Sequence, residues 1–245
     1  MDNIQIKFEI EIKKDNDKFL SIYIGNDNHY AINNLDENMN YEIKVCSIYN
    51  NIKSNYSEIY KIKTDNLDSI ILNKNERKEE FIDKILEWSN TKSMKLIYRG
   101  TRDGMTSKDF HNKCDNKGKT ICLFLNDKGN IFGGYSSIPW ASNGGDKTDK
   151  DCFIFTLTNI YNTEPTKFPY QNNRSVYHDA NYGPIFGSGS DLGFGSNFIS
   201  SKGSWSYYPN SYRDILNKGK SIFTGDFNNN NYNFTLKEIE IFESL

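Results

Sequence analysis

Two residues with reactive side chains, His111 and Cys114, lie three positions apart in the sequence. On a helix this spacing places both on one face. An imidazole beside a thiol is the start of either a metal site or an activated thiol. A zinc site needs four converging ligands, for which Cys122 and Cys152 are further candidates, but the chain has no CxxC pair. Buried thiols that pack as small apolar side chains are therefore the favoured interpretation.

A cysteine nucleophile is a second hypothesis, in which Cys114 pairs with His178 beside Asp179. Such triads are defined by geometry, which residue types alone do not supply. Together the two hypotheses leave open a thiol- or metal-dependent antioxidant enzyme centred on His111 and Cys114. Because no spacing favours either one above chance, we expect a protein that is not an enzyme and holds neither metal nor cofactor.

Charged residues cluster in one turn, where Arg99, Arg102 and Asp103 surround Gly100 and precede Gly104. They could form an exposed polar binding patch. Alternatively, they could bond to backbone groups and stabilise the turn. The second interpretation is favoured, and the patch stays the candidate binding site.

The glycine-rich run at 187–195 could cradle an anion with free backbone amides. It lacks the Lys-Ser/Thr of a P-loop and no helical pattern follows it, so tight turns between short strands are favoured. Trp140 and Trp205 are expected to be large core or rim aromatics, since no basic groove surrounds them.

The elements that position these residues follow from local patterns. Residues 95–98 form an apolar run that predicts a strand, and Thr106 with Asp109 predicts a capping box for a helix over Ser107–Cys114. Residues 120–125 and 131–135 flank a turn and predict a β-hairpin. Upstream, apolar residues at helical spacing over 76–88 predict an amphipathic helix.

Both ends of the chain are predicted to be rich in short strands. From Ile4 to residue 64, alternating apolar residues predict about five antiparallel strands, with Tyr41 in one of them. After residue 140, residues 142–150 are predicted to be a loop, and residues 161–173, which contain Pro165 and Pro169, an irregular edge strand or loop. Further strands are expected at 152–157, 175–178, 185–186, 192–194, 205–208, 221–223 and 234–242. This pattern predicts a mainly β (α+β) fold with a β-sandwich core and peripheral helices.

Length and charge narrow the function classes. The chain has 245 residues with a formal net charge of −2, and it has no clustered basic stripe, so nucleic acid is not an expected partner. The N-terminus lacks a signal-peptide pattern, and no apolar run is long enough to span a membrane. We expect a cytoplasmic protein with free thiols and without direct membrane insertion.

Residues 66–245 resemble the TLDc domain family, which includes the oxidation resistance proteins of eukaryotes. The runs that carry the resemblance include Tyr98-Arg99-Gly100-Thr101-Arg102-Asp103-Gly104, Phe110-His111-Asn112-Lys113-Cys114 and Ile131-Phe132-Gly133-Gly134-Tyr135. The resemblance implies a sandwich of two antiparallel sheets with a helical lead-in at 69–90 and a signature core at 95–245. Residues 1–65, through the run 30–50, resemble part of a fibronectin type III domain, with Tyr41 at the tyrosine-corner position.

The TLDc resemblance also implies a function. It points to a non-enzymatic protein-interaction module that binds the cytosolic sector of the vacuolar proton-pumping ATPase, contributes to oxidative stress resistance, or both. Such a protein would reach endolysosomal membranes only through its partner. A two-domain structural scaffold that does not contact the pump is an alternative function, and no feature of the sequence distinguishes it from the pump-binding module.

Overall fold

A computed structural model describes residues 6–32, 35, 39–63, 67–200, 202–228 and 230–245. The chain forms two compact units, Met1–Leu67 and Asp68–Leu245. The boundary predicted at 65/66 and the predicted strand position Ile4 lie outside the described residues. Within the described part, no helix is long and apolar enough to cross a membrane.

The described residues of the first unit form one antiparallel sheet of five strands. Its central strands β1 and β3 pair along their lengths, and β2 lies beside β1. Strands β4 and β5 pair with opposite ends of β3, which contains the buried Tyr41. The five strands are β1 Lys7–Lys14, β2 Leu20–Gly25, β3 Asn40–Tyr49, β4 Ile52–Lys53 and β5 Tyr60–Lys63.

The second unit is built on a six-stranded antiparallel sheet of order β11-β10-β8-β7-β17-β6. The predicted hairpin forms its centre, since β7 pairs with β8 over the whole of the predicted segments. Its strands are β6 Met94–Arg99, β7 Thr120–Asn126, β8 Ile131–Ser136, β10 Phe153–Thr158, β11 Thr166–Pro169 and β17 Leu236–Ser244.

Two small three-stranded sheets cover one face of the six-stranded sheet, where the resemblance implied a single second sheet. The rings of Phe124 and Phe132 on that face lie 4.2 Å and 5.4 Å from those of Phe194 and Phe234 in one of the small sheets. Gly134 on the same face lies under the ring of Phe186 in the other. The strands of the small sheets are β9 Gly145–Lys147, β12 Val176–His178, β13 Ile185–Phe186, β14 Gly193–Phe194, β15 Ser204–Trp205 and β16 Asn233–Phe234. A mainly β fold of sandwich type, with few short helices, is confirmed.

The opposite face of the sheet is covered by α1 Lys78–Ser89, whose Trp88 ring lies 5.8 Å from that of Phe155. The predicted helix α3 Ser107–Cys114 has the predicted bounds, and its capping box is present. Its Thr106 hydroxyl accepts from the Asp109 amide, and the Asp109 carboxylate accepts from the Thr106 amide. The turn after β6 is the single helical turn α2 Gly100–Asp103.

The structure contradicts two local predictions. Residues 221–223, predicted as a strand, lie in the short helix α4 Ser221–Thr224, which ends at Gly225 with φ +74. The two apolar residues of this run, Ile222 and Phe223, are too few for periodicity to separate strand from helix. The predicted loop at 142–150 contains β9, whose polar residues pair with β12. That strand forms through its partner and not through its own composition.

Candidate functional site

Arg99, the first residue of the predicted patch, lies at the end of β6 opposite Glu240 of β17. Its Nε donates to Glu240 Oε1 over 2.8 Å, and its Nη2 donates to the carbonyl and carboxylate oxygens of Asp68, both at 2.7 Å. Only 11% of the Arg99 side chain is exposed. Arg99 therefore joins the start of this unit to the edge of the six-stranded sheet.

Glu240 is fully buried and holds the segment before α1. Its two carboxylate oxygens accept from the Ser69 hydroxyl at 2.6 Å and from the Ile70 amide at 2.9 Å. Burial raises the pKa of Glu240, while the bonds from Ser69 and Arg99 act in the opposite direction. A buried carboxylate of this kind depends on its donors, because an unpaired buried charge is costly.

The other two residues of the patch, Arg102 and Asp103, pair with each other. Arg102 donates to the Asp103 carboxylate through Nε at 3.1 Å and Nη2 at 2.7 Å, and the Arg99 amide donates to the same carboxylate at 3.0 Å. The Arg102 hydrogen bond is the main reason that the pKa of Asp103 falls to about 2. Of the three predicted residues only Arg102 is substantially exposed, at 45% of its side chain.

His111 is held by three acceptors. Its Nδ1 lies 2.7 Å from the Asp115 carboxylate, and its Nε2 lies 3.1 Å from the Asp179 carbonyl oxygen and 2.9 Å from that of Tyr182. Both ring nitrogens are occupied, so neither is available as a base towards a thiol or as a ligand to a metal. The geometry assigns His111 to anchoring the turn at residues 179–182.

Cys114 lies on the same helix as His111 and is completely buried. Burial raises its pKa well above the ordinary value, and the same cause raises that of Cys122. A thiol that stays protonated is a poor nucleophile and a poor metal ligand. No group of three or more His, Cys, Asp or Glu side chains in the described residues has metal-binding geometry.

The hypothetical triad of Cys114, His178 and Asp179 is not assembled. His178 is buried, and neither of its ring nitrogens has a hydrogen-bond partner among the described residues. Burial lowers its pKa to about 4, and its ring packs 5.5 Å from that of Trp140. The Asp179 carboxylate instead accepts from the amide and side chain of Asn181.

The glycine-rich run forms turns, and several of its amides are used inside the protein. The amides of Gly187 and Ser190 donate to the carbonyl oxygens of Ser175 and Gly187, and the Ser188 amide donates to the Ser211 hydroxyl. These groups are therefore not free to bind an anion.

Trp140 and Trp205 have different surroundings. Trp140 is buried, and its indole N–H donates to the Thr120 hydroxyl at 2.8 Å. Trp205 is half-buried and lines a surface cavity of about 250 Å³ with Tyr177 and Tyr182. Sequence reasoning missed this cavity, since its residues come from separate short strands and turns and share no spacing that would have marked them.

A comparison with models of protein families identifies the family of this chain. The model of the TLDc domain matches residues 65–244, almost three-quarters of the chain. The chain belongs to the TLDc family. No curated protein matched it significantly.

Within this TLDc domain, the residues of the signature runs make contacts that hold turns and strands in place. Arg99 and Asp103 fix the turn between β6 and α3, and His111 fixes the turn at residues 179–182. Gly134 of the central strand lies under the ring of Phe186, where an added Cβ would come within 2.5 Å of that ring. The signature therefore maintains close packing and the positions of surface turns.

Proposed function

We propose that this protein is a non-enzymatic TLDc interaction module that binds the cytosolic sector of the vacuolar proton-pumping ATPase and so contributes to oxidative stress resistance. Membership of the TLDc family carries the proposal, because that family is linked to oxidative stress resistance. The protein would be cytoplasmic and would reach endolysosomal membranes through the pump.

The state of the reactive side chains supports a binding role over an antioxidant enzyme. Cys114 is buried with a raised pKa, and His111 is bonded to three acceptors. A thiol enzyme requires an accessible group with a lowered pKa. By contrast, the exposed side chains include Tyr182, Tyr207 and Arg102, and tyrosine and arginine are among the residue types that contribute most to protein interfaces.

The N-terminal unit would be an accessory. We propose that residues 1–65 form a fibronectin type III-like module that contacts a different protein or acts as a spacer. Its antiparallel sheet and its buried Tyr41 support this proposal.

Binding of the full chain to the purified cytosolic sector of the pump tests the proposal. The chain is immobilised, the sector is added over a range of concentrations, and binding is followed by biolayer interferometry. We expect saturable binding, and Arg102→Glu is expected to weaken it if the predicted patch takes part. A purified pump sector that shows no binding at micromolar concentration would refute the proposed partner.

A further inference from the structure

The surface cavity around Trp205 has aromatic walls. Three aromatic side chains, Tyr177, Tyr182 and Trp205, line its volume of about 250 Å³, together with Arg174, Ile185 and Ser190. The Tyr182 ring stands at 63° to that of Tyr177 and at 80° to that of Trp205, with centroids 6.4 Å and 6.3 Å apart. Rings at these angles do not stack face to face, so they leave ring surface for a ligand.

The backbone holds these rings in place. Trp205 pairs with Gly193 of the neighbouring strand, and its indole lies so close over Gly193 that an added Cβ would come within 2.5 Å of Nε1. On the other side of the cavity, His111 bonds to the carbonyl oxygen of Tyr182. The cavity is therefore built partly by a signature residue of the family.

The cavity contains unused hydrogen-bond donors. The indole N–H of Trp205 and the hydroxyl of Tyr182 make no hydrogen bond to any part of the chain that the structure describes. Both side chains are half-buried or more exposed, so a ligand can reach them. They are donors placed beside apolar ring surface.

The charge at the cavity is balanced. Arg174 pairs with Asp146 and lies over the ring of Tyr177, 5.1 Å from its centroid. The Tyr177 hydroxyl donates to Asp179. A cationic ligand would meet the guanidinium of Arg174, and an anionic one would compete with Asp146, so a neutral ligand fits best.

We propose that this cavity binds a proline-rich segment of a partner protein in the polyproline II conformation. Such a segment is neutral, presents pyrrolidine rings to aromatic walls, and has no internal hydrogen bonds, so its carbonyl oxygens require donors such as the Trp205 indole. The proposal rests on the proposed function as a protein-binding module and adds the chemistry of the segment that is recognised.

The test uses the ¹⁵N-labelled full chain and a decaproline peptide. The chain has three tryptophans, so three indole N–H signals appear in its correlation spectrum, and Trp205→Phe identifies that of Trp205. We expect a saturable shift of the Trp205 signal and none of the Trp140 signal. A glycine-serine peptide of equal length is expected to cause no shift.

Matched variants separate binding from folding. We expect Trp205→Ala and Tyr182→Ala, whose affinities are measured by isothermal titration calorimetry, to weaken decaproline binding by about tenfold or more. Gly193→Ala is expected to do the same by displacing the indole. The control is Phe227→Ala, which removes an exposed aromatic side chain outside the cavity and is expected to leave the affinity unchanged.

The proposal is overturned if millimolar decaproline leaves the Trp205 signal in place, or if a trimethyl-lysine or acidic peptide shifts it and decaproline does not. Pump binding is scored separately. Decaproline binding without pump binding would refute the proposed partner alone, and pump binding without a response to decaproline would refute this inference alone.

Discussion

At the scale of single residues, Arg99 and Glu240 depend on each other. Glu240 is fully buried, and Arg99 is the only cation bonded to it among the described residues. Removing one member of a buried ion pair leaves the other charge without compensation, which typically costs several kcal/mol. The predicted binding patch is thus divided into a structural residue, Arg99, and an exposed residue, Arg102.

We expect Arg99→Met to lower the free energy of unfolding by about 3 kcal/mol. Arg102→Met, which removes an exposed partner of Asp103, should cost less than about 1 kcal/mol. Urea unfolding followed by tryptophan fluorescence measures both, since Trp88, Trp140 and Trp205 all lie in the second unit. Equal costs for the two variants would contradict the structural role of Arg99. The double variant Arg99→Met/Glu240→Met should recover part of the stability that Arg99→Met loses.

His178 makes stability depend on pH. Its ring is buried without a partner, and its pKa is lowered from 6.5 to about 4. The unfolded chain therefore binds a proton between these values that the folded chain does not. The contribution of His178 to the free energy of unfolding is fully present above pH 6.5. About 3 kcal/mol of it is lost as the pH falls to 4.

The variant His178→Phe, which keeps an aromatic ring against Trp140, should remove this dependence. Unfolding free energies of both proteins are measured from pH 7.5 to pH 4, and their difference cancels the contributions of other titrating groups. We expect the variant to become steadily more stable relative to the natural protein as the pH falls below 6.5. Parallel curves would show that His178 is not neutral and buried in the folded protein.

At the scale of elements, the turn before β14 is held by Asp191. Its carboxylate accepts from the amides of Asn210 and Ser211 at 2.5 Å and 2.9 Å, so it joins two distant turns. Gly187 has a φ of +86 and packs against this carboxylate, where an added Cβ would lie 1.8 Å from Oδ2. The glycine is required by both its conformation and this contact.

Gly129 is a matched control, because its φ is +85 and an added Cβ there would meet no atom within 4 Å. We expect Gly129→Ala to cost about 1 kcal/mol from the left-handed conformation alone. Gly187→Ala should cost about 2 kcal/mol more, because the turn must also move away from Asp191. Thermal or urea unfolding measures the difference, and similar losses in both variants would argue against a tight contact at Asp191.

At the scale of the whole molecule, all four cysteines, which lie in both units, are buried. We expect them to react slowly with a thiol reagent such as DTNB in the native protein and fully after unfolding in urea. Asn143→Cys, which adds a thiol at an exposed position, should react quickly and serves as the control. A native thiol that reacts as fast as this control would favour the antioxidant enzyme over the binding module.

The sequence by itself determined the elements whose stabilising contacts are local. The capping box at Thr106 and Asp109 and the hairpin around residues 126–130 were predicted correctly, because their hydrogen bonds join residues only a few positions apart. The amphipathic pattern before residue 90 likewise predicted α1 within two residues at its start and one at its end. The signature runs were sufficient to indicate the TLDc family, which the family match confirmed.

Only the tertiary structure decided which side chains remain available for function. The partners of His111 at residues 179 and 182, and of Arg99 at residue 240, are far away in the chain. Burial lowers the pKa of His178 and raises that of Cys114, although their residue types suggested chemistry. The aromatic cavity also arises from contacts between residues that are far apart in the chain, because periodicity indicates the face that a residue occupies and not the residue that it meets there.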